Sequence, residues 1–413
     1  MRLRDLNLSS SPYARRTAST SSPYARRTAS KSPMPERADE DPLSSAQLWH
    51  SKNTLQSDDP DSLCCRFSPD DSVVAAGFSD GSVQVFDAQT GNPMAKLEAP
   101  TTGNAGTTIR GKSIGMPASI MRFRPGQTRL EMSRRPLLLV GTVDRDLQQW
   151  NLKAAEDESP LVYEGGCFGR AGGDQIFAMD YHPGGRAFAV AGSDKHDDST
   201  TYRQNTGTAA VRIFDDESKK CVTTLHGHQN RIMCLKHATP VTHTVLVSGG
   251  FDGLKLWDVR EKNCVRSLAH GGQGVELSGD AIDCHGVTML TASFRTSRQL
   301  QLWDLRTFKL LREDALHDSV GSQPASLCAA SFSKDQNAAF FAAAGNAAGK
   351  HAVQIFARGK SEDEHVASVS VPSAVFGLDW AHQTPLLAVA SRAKGITVAR
   401  LPTNALKKLS LSK

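Results

Sequence analysis

The stretch SGGFDGLKLWDVR, from Ser248 to Arg260, alternates apolar residues as a β-strand does, yet it also carries two aspartates and a tryptophan. Asp252 stands directly before a glycine, which is typical of a turn whose carboxylate accepts backbone hydrogen bonds. Asp258 follows the apolar run, where its carboxylate can accept the backbone donors of the next turn. We therefore interpret both aspartates as residues that hold turns, and not as catalytic carboxylates.

Phrases of the same kind recur through most of the chain, and their aromatic positions are 43 to 64 residues apart. The shorter gaps match a structural repeat of roughly 40–45 residues. The longer gaps coincide with polar insertions at 129–136 and 193–207. The phrases are SVQVFD (82–87), DLQQWN (146–151), AVRIFD (210–215), GLKLWD (253–258), QLQLWD (299–304), AVQIFA (352–357) and the degenerate GITVAR (395–400). Short strands of even spacing, separated by Gly, Asp and Pro turns, indicate an all-β solenoid or propeller.

The repeats resemble those of WD-repeat (WD40) β-propellers. The resemblance is carried by LHGHQNRIMCL (225–235), SGGFDGLKLWDVR and LQLWDLR (300–306), and it covers about residues 45–402. It implies an all-β fold of seven blades. It also implies a buried hydrogen-bonded tetrad, which only the fourth unit has in full: His228, Ser248, Asp252 and Trp257.

We expect three parts along the chain. Residues 1–43 form a disordered tail, residues 44–402 the propeller, and residues 403–413 a short C-terminal tail. A propeller must also close its ring, since an open edge would leave backbone groups unpaired. We predict that residues 45–55 become the outer strand of the last blade, and the end LPTNALKKLSLSK (401–413) competes for that place.

The tail contains SSPYARRTAS twice, at 10–19 and 21–30. Residues 1–35 hold seven basic residues and one acidic residue, so the rest of the chain is nearly neutral. The tail could therefore bind nucleic acid or an anionic surface, or serve as an organelle transit peptide. Basic residues or prolines flank five candidate phosphorylation sites, although a plain solvated tail would look the same. These sites are Ser11, Ser19, Ser22, Ser30 and Ser32.

No apolar run approaches the ~20 residues of a membrane helix, and the chain begins without a secretory signal. We therefore expect a cytoplasmic or nuclear protein with reduced cysteines, since no C-x-x-C pair occurs among its eight cysteines. His226, His228, His237 and His243 match no zinc spacing, so we predict neither a metal nor a cofactor.

These features favour a non-catalytic scaffold or adaptor whose partners are other proteins, with no small-molecule substrate. The loops at 98–117, 129–136 and 193–209 either contact a partner or are surface insertions without a role. An enzyme would need polar side chains converging on the central channel. We expect mostly apolar residues there.

A sharper alternative concerns the two arginines that follow the WD phrases, Arg260 in WDVR and Arg306 in WDLR. This pattern resembles the WD-x-Arg signature of propellers that serve as substrate receptors of cullin–RING ubiquitin ligases. Arginines at these places could make charge-assisted contacts with an adaptor protein. They could equally cap a solvated turn.

Overall fold

All regular secondary structure that the computed structural model describes is β-strand. The described part of the chain contains no helix, and so none long and apolar enough to cross a bilayer. The tail at 1–43 with Ser11, Ser19, Ser22, Ser30 and Ser32, the C-terminal tail at 403–413 and most of the three predicted contact loops lie outside the described residues. The described residues are 47–50, 60–97, 107–109, 112–114, 117–126, 136–143, 147–152, 162–163, 175–193, 209–238, 245–269, 275–295, 298–314, 326–346, 351–359, 362–392 and 395–401.

The strands form seven four-stranded antiparallel sheets, the blades, and one hairpin. Strand β1 (Gln47–His50) comes first, and the strands of blade 1 follow it: β2 (Ser62–Phe67), β3 (Val73–Phe78), β4 (Val83–Asp87) and β5 (Pro93–Leu97). The hairpin consists of β6 (Thr107–Ile109) and β7 (Lys112–Ile114), and blade 2 of β8 (Ala118–Phe123), β9 (Leu137–Thr142), β10 (Leu147–Asn151) and β11 (Val162–Tyr163). Blade 3 consists of β12 (Gln175–Tyr181), β13 (Ala187–Ser193), β14 (Ala209–Asp215) and β15 (Cys221–His228). Blade 4 consists of β16 (Ile232–His237), β17 (Val245–Gly250), β18 (Gly253–Asp258) and β19 (Asn263–Ala269). Blade 5 consists of β20 (Ile282–His285), β21 (Thr288–Ala292), β22 (Leu300–Asp304) and β23 (Lys309–Asp314). Blade 6 consists of β24 (Ser326–Phe332), β25 (Phe340–Asn346), β26 (His351–Ala357) and β27 (Glu364–Val371). Blade 7 consists of β28 (Val375–Trp380), β29 (Leu386–Ser391) and β30 (Gly395–Arg400), to which β1 is added.

The blades are arranged in a closed ring. The first strand of each blade contacts the first strand of the next, and the cycle returns from β28 to β2. These first strands therefore line a central channel, and the later strands of each blade lie progressively further out. The prediction of a seven-bladed propeller is confirmed.

An N-terminal strand closes the ring, as predicted. Strand β1 pairs antiparallel with β30, with Trp49 opposite Val398 and His50 opposite Thr397. It supplies the fourth strand of blade 7 and covers the edge that β30 would otherwise expose. Strand β1 thus occupies the outer position of blade 7, for which the C-terminal end was the competing candidate.

Polar contacts reinforce the junction between blade 7 and blade 1. Ser62 Oγ on β2 lies 2.9 Å from the carbonyl oxygen of Ser391 and 2.7 Å from that of Gly395. The buried Asp71 carboxylate accepts the backbone N–H groups of His382 at 2.7 Å and Gln383 at 2.6 Å. The junction between the first and last blades is therefore held at both ends of β2.

The hydrophobic core lies between adjacent blades. In one cluster, Ala189 and Ile213 of blade 3 pack with Leu246 and Trp257 of blade 4. Adjacent blades approach each other closely, which explains the small residues that end many second strands. A Cβ atom on Gly249, for example, would lie 2.4 Å from a methyl group of Leu277.

The antiparallel order of the strands defines two faces. The turns from first to second strand and from third to fourth strand lie on one face, which we call the lower face. The turns from second to third strand lie on the opposite, upper face. Asp252, between β17 and β18, is therefore on the upper face, whereas Arg260 and Arg306 are on the lower face.

We predict that deletion of residues 1–55 lowers the free energy of unfolding by about 2–4 kcal/mol, because a few β1–β30 backbone hydrogen bonds of about 1 kcal/mol each are lost. Deletion of residues 1–41 is the matched control, since it leaves β1 in place. Urea unfolding of the three chains, followed by circular dichroism, measures the difference. Equal midpoints for the two deletions would contradict the closing role of β1.

Candidate functional site

The four predicted tetrad residues are brought together between blades 3 and 4. His228, at the end of β15, directs Nδ1 to Asp252 Oδ1 at 2.8 Å and Nε2 to Ser248 Oγ at 2.6 Å. Trp257 donates its indole N–H to the same hydroxyl at 2.7 Å. The three buried members, His228, Ser248 and Trp257, are at most 1% exposed.

The donor pattern fixes the protonation of the tetrad. An ionised carboxylate accepts only, so the Nδ1 atom of His228 carries the proton and its Nε2 atom accepts the Ser248 hydroxyl proton. Burial alone would raise the pKa of Asp252, but the hydrogen bonds from His228 and from the Gln229 backbone lower it below its usual value. The tetrad thus joins the outer strand of one blade to the next blade with every polar atom paired.

Blade 5 contains a partial version that was not predicted from the sequence. Trp303 donates its indole N–H to Thr291 Oγ1 at 3.1 Å. Thr291 pairs with Gln301, two residues before the tryptophan, just as Ser248 pairs with Lys255. The sequence contained a clue to this contact, namely a hydroxyl residue at the same register position as Ser248. Its separation from the tryptophan along the sequence differs from that in blade 4, however.

The two predicted adaptor-contact arginines are bound within their own turns and remain exposed. Arg260 Nη2 lies 3.3 Å from Asp258 Oδ2, and Arg306 Nη2 lies 2.9 Å from Asp304 Oδ2. Their side chains are 69% and 62% exposed. The hydrogen bond from Arg306 lowers the pKa of Asp304 to about 2. The capping contacts therefore orient both guanidinium groups and leave most of their surface accessible to a partner.

The central channel differs from the sequence-based expectation. We expected the first strands to supply mostly apolar inward residues, and this was wrong. Near its end, each first strand carries a polar or charged residue in place of an apolar one. These residues are Arg66, Arg122, Asp180, Lys236, Asp283, Ser331 and Asp379.

Three of these carboxylates join neighbouring blades through the backbone. Oδ2 of Asp180 accepts the N–H of His237, that of Asp283 the N–H of Phe332, and that of Asp379 the N–H of Phe67, each at 2.8 Å. Each bond runs from one blade to the first strand of the next. The same joint thus recurs between blades 3 and 4, 5 and 6, and 7 and 1.

Ion pairs extend the contacts across the channel. Asp280, just before β20 in blade 5, is shared by Arg66 of blade 1 and by Arg122 of blade 2, whose Nη2 lies 2.8 Å from Oδ1. Arg122 Nε also lies 3.3 Å from Asp180 Oδ1. Lys236 Nζ lies 3.1 Å from Asp283 Oδ1.

Burial and charge act in opposite directions on these groups. Burial would raise the pKa of Asp180, but Lys236, His237 and Arg122 lower it well below 3.8. Burial would likewise lower the pKa of Lys236, whereas Asp283 and Asp180 raise it. Burial lowers the pKa of Arg122 to about 10, with a further contribution from Arg66. Asp180, Lys236 and Arg122 are therefore all ionised at neutral pH.

The other residues considered for metal binding or catalysis occupy structural positions. Within the described ranges, no group of three or more His, Cys, Asp or Glu side chains is arranged to hold a metal. Burial raises the pKa of Cys64 to about 11 and that of Cys234 to about 12, so both thiols stay protonated. Their sulfur atoms contact the carbonyl oxygens of Ala118 and Gly279 near the next first strand.

Comparison with known proteins agrees with this architecture. The family model described as "WD domain, G-beta repeat" matches residues 50–87 and 219–258. The mouse protein Striatin-4 is 25% identical over 230 residues, which are 55% of this chain and 25% of that protein. The human WD repeat-containing protein 18 is 39% identical over 75 residues, which are 18% of this chain and 16% of that protein. The aligned part thus spans a quarter or less of these relatives.

A solved structure shows the same fold. Raptor from Chaetomium thermophilum superimposes with a TM-score of 0.62 over 87% of this chain and 29% of that one. The identity is 15%, so the likeness concerns the fold alone.

We predict that Ser248→Ala lowers the free energy of unfolding by about 1–3 kcal/mol, because it leaves His228 Nε2 and the Trp257 indole N–H buried without their shared partner. Ser267→Ala on the exposed part of β19 is the matched control and should change stability by less than about 0.5 kcal/mol. Chemical denaturation of both variants provides the measurement. Equal effects of the two substitutions would argue against the tetrad as an interblade joint.

We also predict that Lys236→Met destabilises the ring by about 1–3 kcal/mol near neutral pH, since Asp180 and Asp283 lose a buried partner. The low pKa of folded Asp180 contributes stability above 3.8 that is lost as the pH falls through the folded value. The variant brings the folded and unfolded pKa values closer together. Its destabilisation should therefore be larger at neutral pH than at about pH 2, which is closer to the folded pKa of Asp180.

Denaturant unfolding at the two pH values tests this expectation, with the exposed Lys220→Met as control. A destabilisation by Lys236→Met that is the same at both pH values would show that the lysine does not stabilise ionised carboxylates.

Proposed function

Because this chain is a member of the WD-repeat family, we propose that it acts as a non-catalytic scaffold or adaptor that binds other proteins within an intracellular complex, in the cytoplasm or the nucleus. The main support comes from the charged groups of the central channel. Three of its carboxylates accept backbone N–H groups of the neighbouring blade at 2.8 Å. Carboxylates used in this way hold the ring together, which favours a structural role over acid–base chemistry.

The exposed turns are the parts of this ring that support binding. Rigid sheets hold them in place, and binding residues of such folds are commonly located on the connections. Arg260 and Arg306 occupy equivalent turns of adjacent blades on the lower face, and each donates a guanidinium N–H to the aspartate two residues before it. An oriented arginine loses less side-chain entropy when it meets a partner carboxylate.

This arrangement also supports a second candidate function, that of a substrate receptor of a cullin–RING ubiquitin ligase. An adaptor protein would then contact Arg260 and Arg306 together. The exposed fractions of 69% and 62% leave both guanidinium groups accessible for such a contact.

The two functions make different predictions for the double variant Arg260→Ala with Arg306→Ala. A receptor should lose at least about tenfold in affinity for a purified cullin–RING adaptor, equivalent to about 1.4 kcal/mol. The matched control replaces Arg266 and Arg400, two other exposed arginines, by alanine and should bind normally. Surface plasmon resonance of the three chains provides the measurement.

If the wild-type chain does not bind the adaptor, or if the double variant binds it equally well, the receptor function is wrong. The broader scaffold proposal is tested by affinity purification of the tagged full chain followed by size-exclusion chromatography. Stable co-elution with other proteins supports it, whereas elution as a single free chain contradicts it.

A further inference from the structure

A cavity of about 430 Å³ opens at the centre of the ring, among the ends of the first strands and therefore on the lower face. Its volume falls within the ~300–1,000 Å³ of typical small-ligand pockets. Aromatic and proline side chains form part of its wall, namely Phe67, Pro69, Phe123, Pro125 and Phe332. We call it the channel cavity.

Four cationic side chains from four different blades line the channel cavity: Arg66, Arg122, Lys236 and Lys334. The two arginine side chains lie deep and are 8% exposed, whereas Lys236 and Lys334 are 27% and 26% exposed. The two lysine ammonium groups are therefore the cations that a molecule entering from the lower face can reach.

The acidic residues of the wall are already bound by protein donors. Asp379 Oδ2 accepts the N–H of Phe67 as well as Lys334 Nζ at 2.8 Å. Asp283 Oδ2 accepts the N–H of Phe332 and the hydroxyl of Ser331 at 3.0 Å. Asp280, the third, is shared by two arginines. These contacts hold the carboxylates in the wall. Each lysine ammonium group has three N–H donors, so it can bind a ligand in addition to its carboxylate.

Lys334 stands at the opening of the cavity, next to an exposed histidine. Its Nζ atom lies 3.2 Å from His382 Nε2. Burial lowers the pKa of Lys334; Asp379 partly offsets this effect, but Arg66 and Lys236 lower the pKa further. Burial is the largest of these effects, so the contact with Asp379 does not fully replace the solvent that the Lys334 ammonium group has lost, and an added negative charge beside it would stabilise it.

We propose that the channel cavity binds a phosphate monoester, with Lys236 and Lys334 as its principal cationic contacts and the aromatic and proline wall against its organic part. The guanidinium groups of Arg66 and Arg122 already pair with Asp280 and Asp180, so neither is free to bind the carboxylate of a ligand through two parallel hydrogen bonds. Ammonium groups act as point charges and suit the three oxygens of a phosphate. The phosphate could belong to a free small molecule or to a phosphorylated side chain of a protein.

Isothermal titration calorimetry with the full chain tests the proposal. The probes are O-phospho-L-serine, inorganic phosphate and a short phosphoserine peptide, and L-serine is the control that lacks only the phosphate. We expect saturable binding of O-phospho-L-serine, none of serine, and weaker binding of inorganic phosphate, which lacks the organic part. Tighter binding of the peptide than of phosphoserine would assign the phosphate to a protein side chain, and equal or weaker binding would assign it to a small molecule.

Lys334→Gln and Lys236→Gln should each weaken the binding of O-phospho-L-serine at least about tenfold, and Lys334→Arg should retain most of it. Lys220→Gln is the matched control on an exposed turn and should bind as the wild type does. Circular dichroism verifies that each variant is folded. Lack of saturable binding by the wild-type chain at about 10 mM probe, or unchanged affinity in both folded Gln variants, would overturn the proposal.

A second measurement needs no variant. Acetic anhydride modifies accessible lysines, and mass spectrometry reports each position. O-phospho-L-serine should protect Lys236 and Lys334 several-fold while leaving Lys220 unprotected. Equal modification of the cavity lysines with and without this probe would also contradict the site.

Discussion

The first strand of each blade is an edge strand, and this constraint governs the centre of the ring. In the described sheets its inner edge pairs with no other named strand, so its backbone N–H groups need partners from elsewhere. At three junctions the partner is a carboxylate of the preceding blade: Asp180, Asp283 or Asp379. A side-chain acceptor thus replaces a missing strand and fixes the position of one blade relative to the next.

Buried carboxylates in turn require cations, because an unpaired buried charge is strongly destabilising. Lys236 lies between Asp180 and Asp283, and Lys334 contacts Asp379. The inner charges are therefore a consequence of joining the blades through carboxylates. The outer parts of the blades are joined differently, by apolar packing and, at blade 4, by the hydrogen bonds of His228, Ser248 and Trp257.

The outer joint was expected from the resemblance to WD-repeat propellers, whereas the inner joint was not expected, and the difference has a physical reason. Ser248, Asp252 and Trp257 belong to a single hairpin, so their spacing is set by local strand geometry and can be read directly. Arg66 and Asp280 are 214 residues apart and meet only when the ring closes. A periodic signal did exist, since RF, DY and DW end the first strands of blades 1, 3 and 7, with a charged residue where a buried strand should be apolar. We expected apolar residues because the alternation within one strand does not show that this strand lines a central channel together with the first strands of the six other blades.

Closure of the ring by β1 also has a consequence for how the protein is made. His50 of β1 pairs with Thr397 of β30, so the strand that closes the ring is synthesised long before its partner strand. Until β30 has been synthesised, the newly made blades form an open arc with an uncovered sheet at either end, the kind of surface to which chaperones bind. Folding of the propeller therefore ends with a single long-range event that joins β1 to β30, and the nascent ring stays exposed to aggregation until that event occurs.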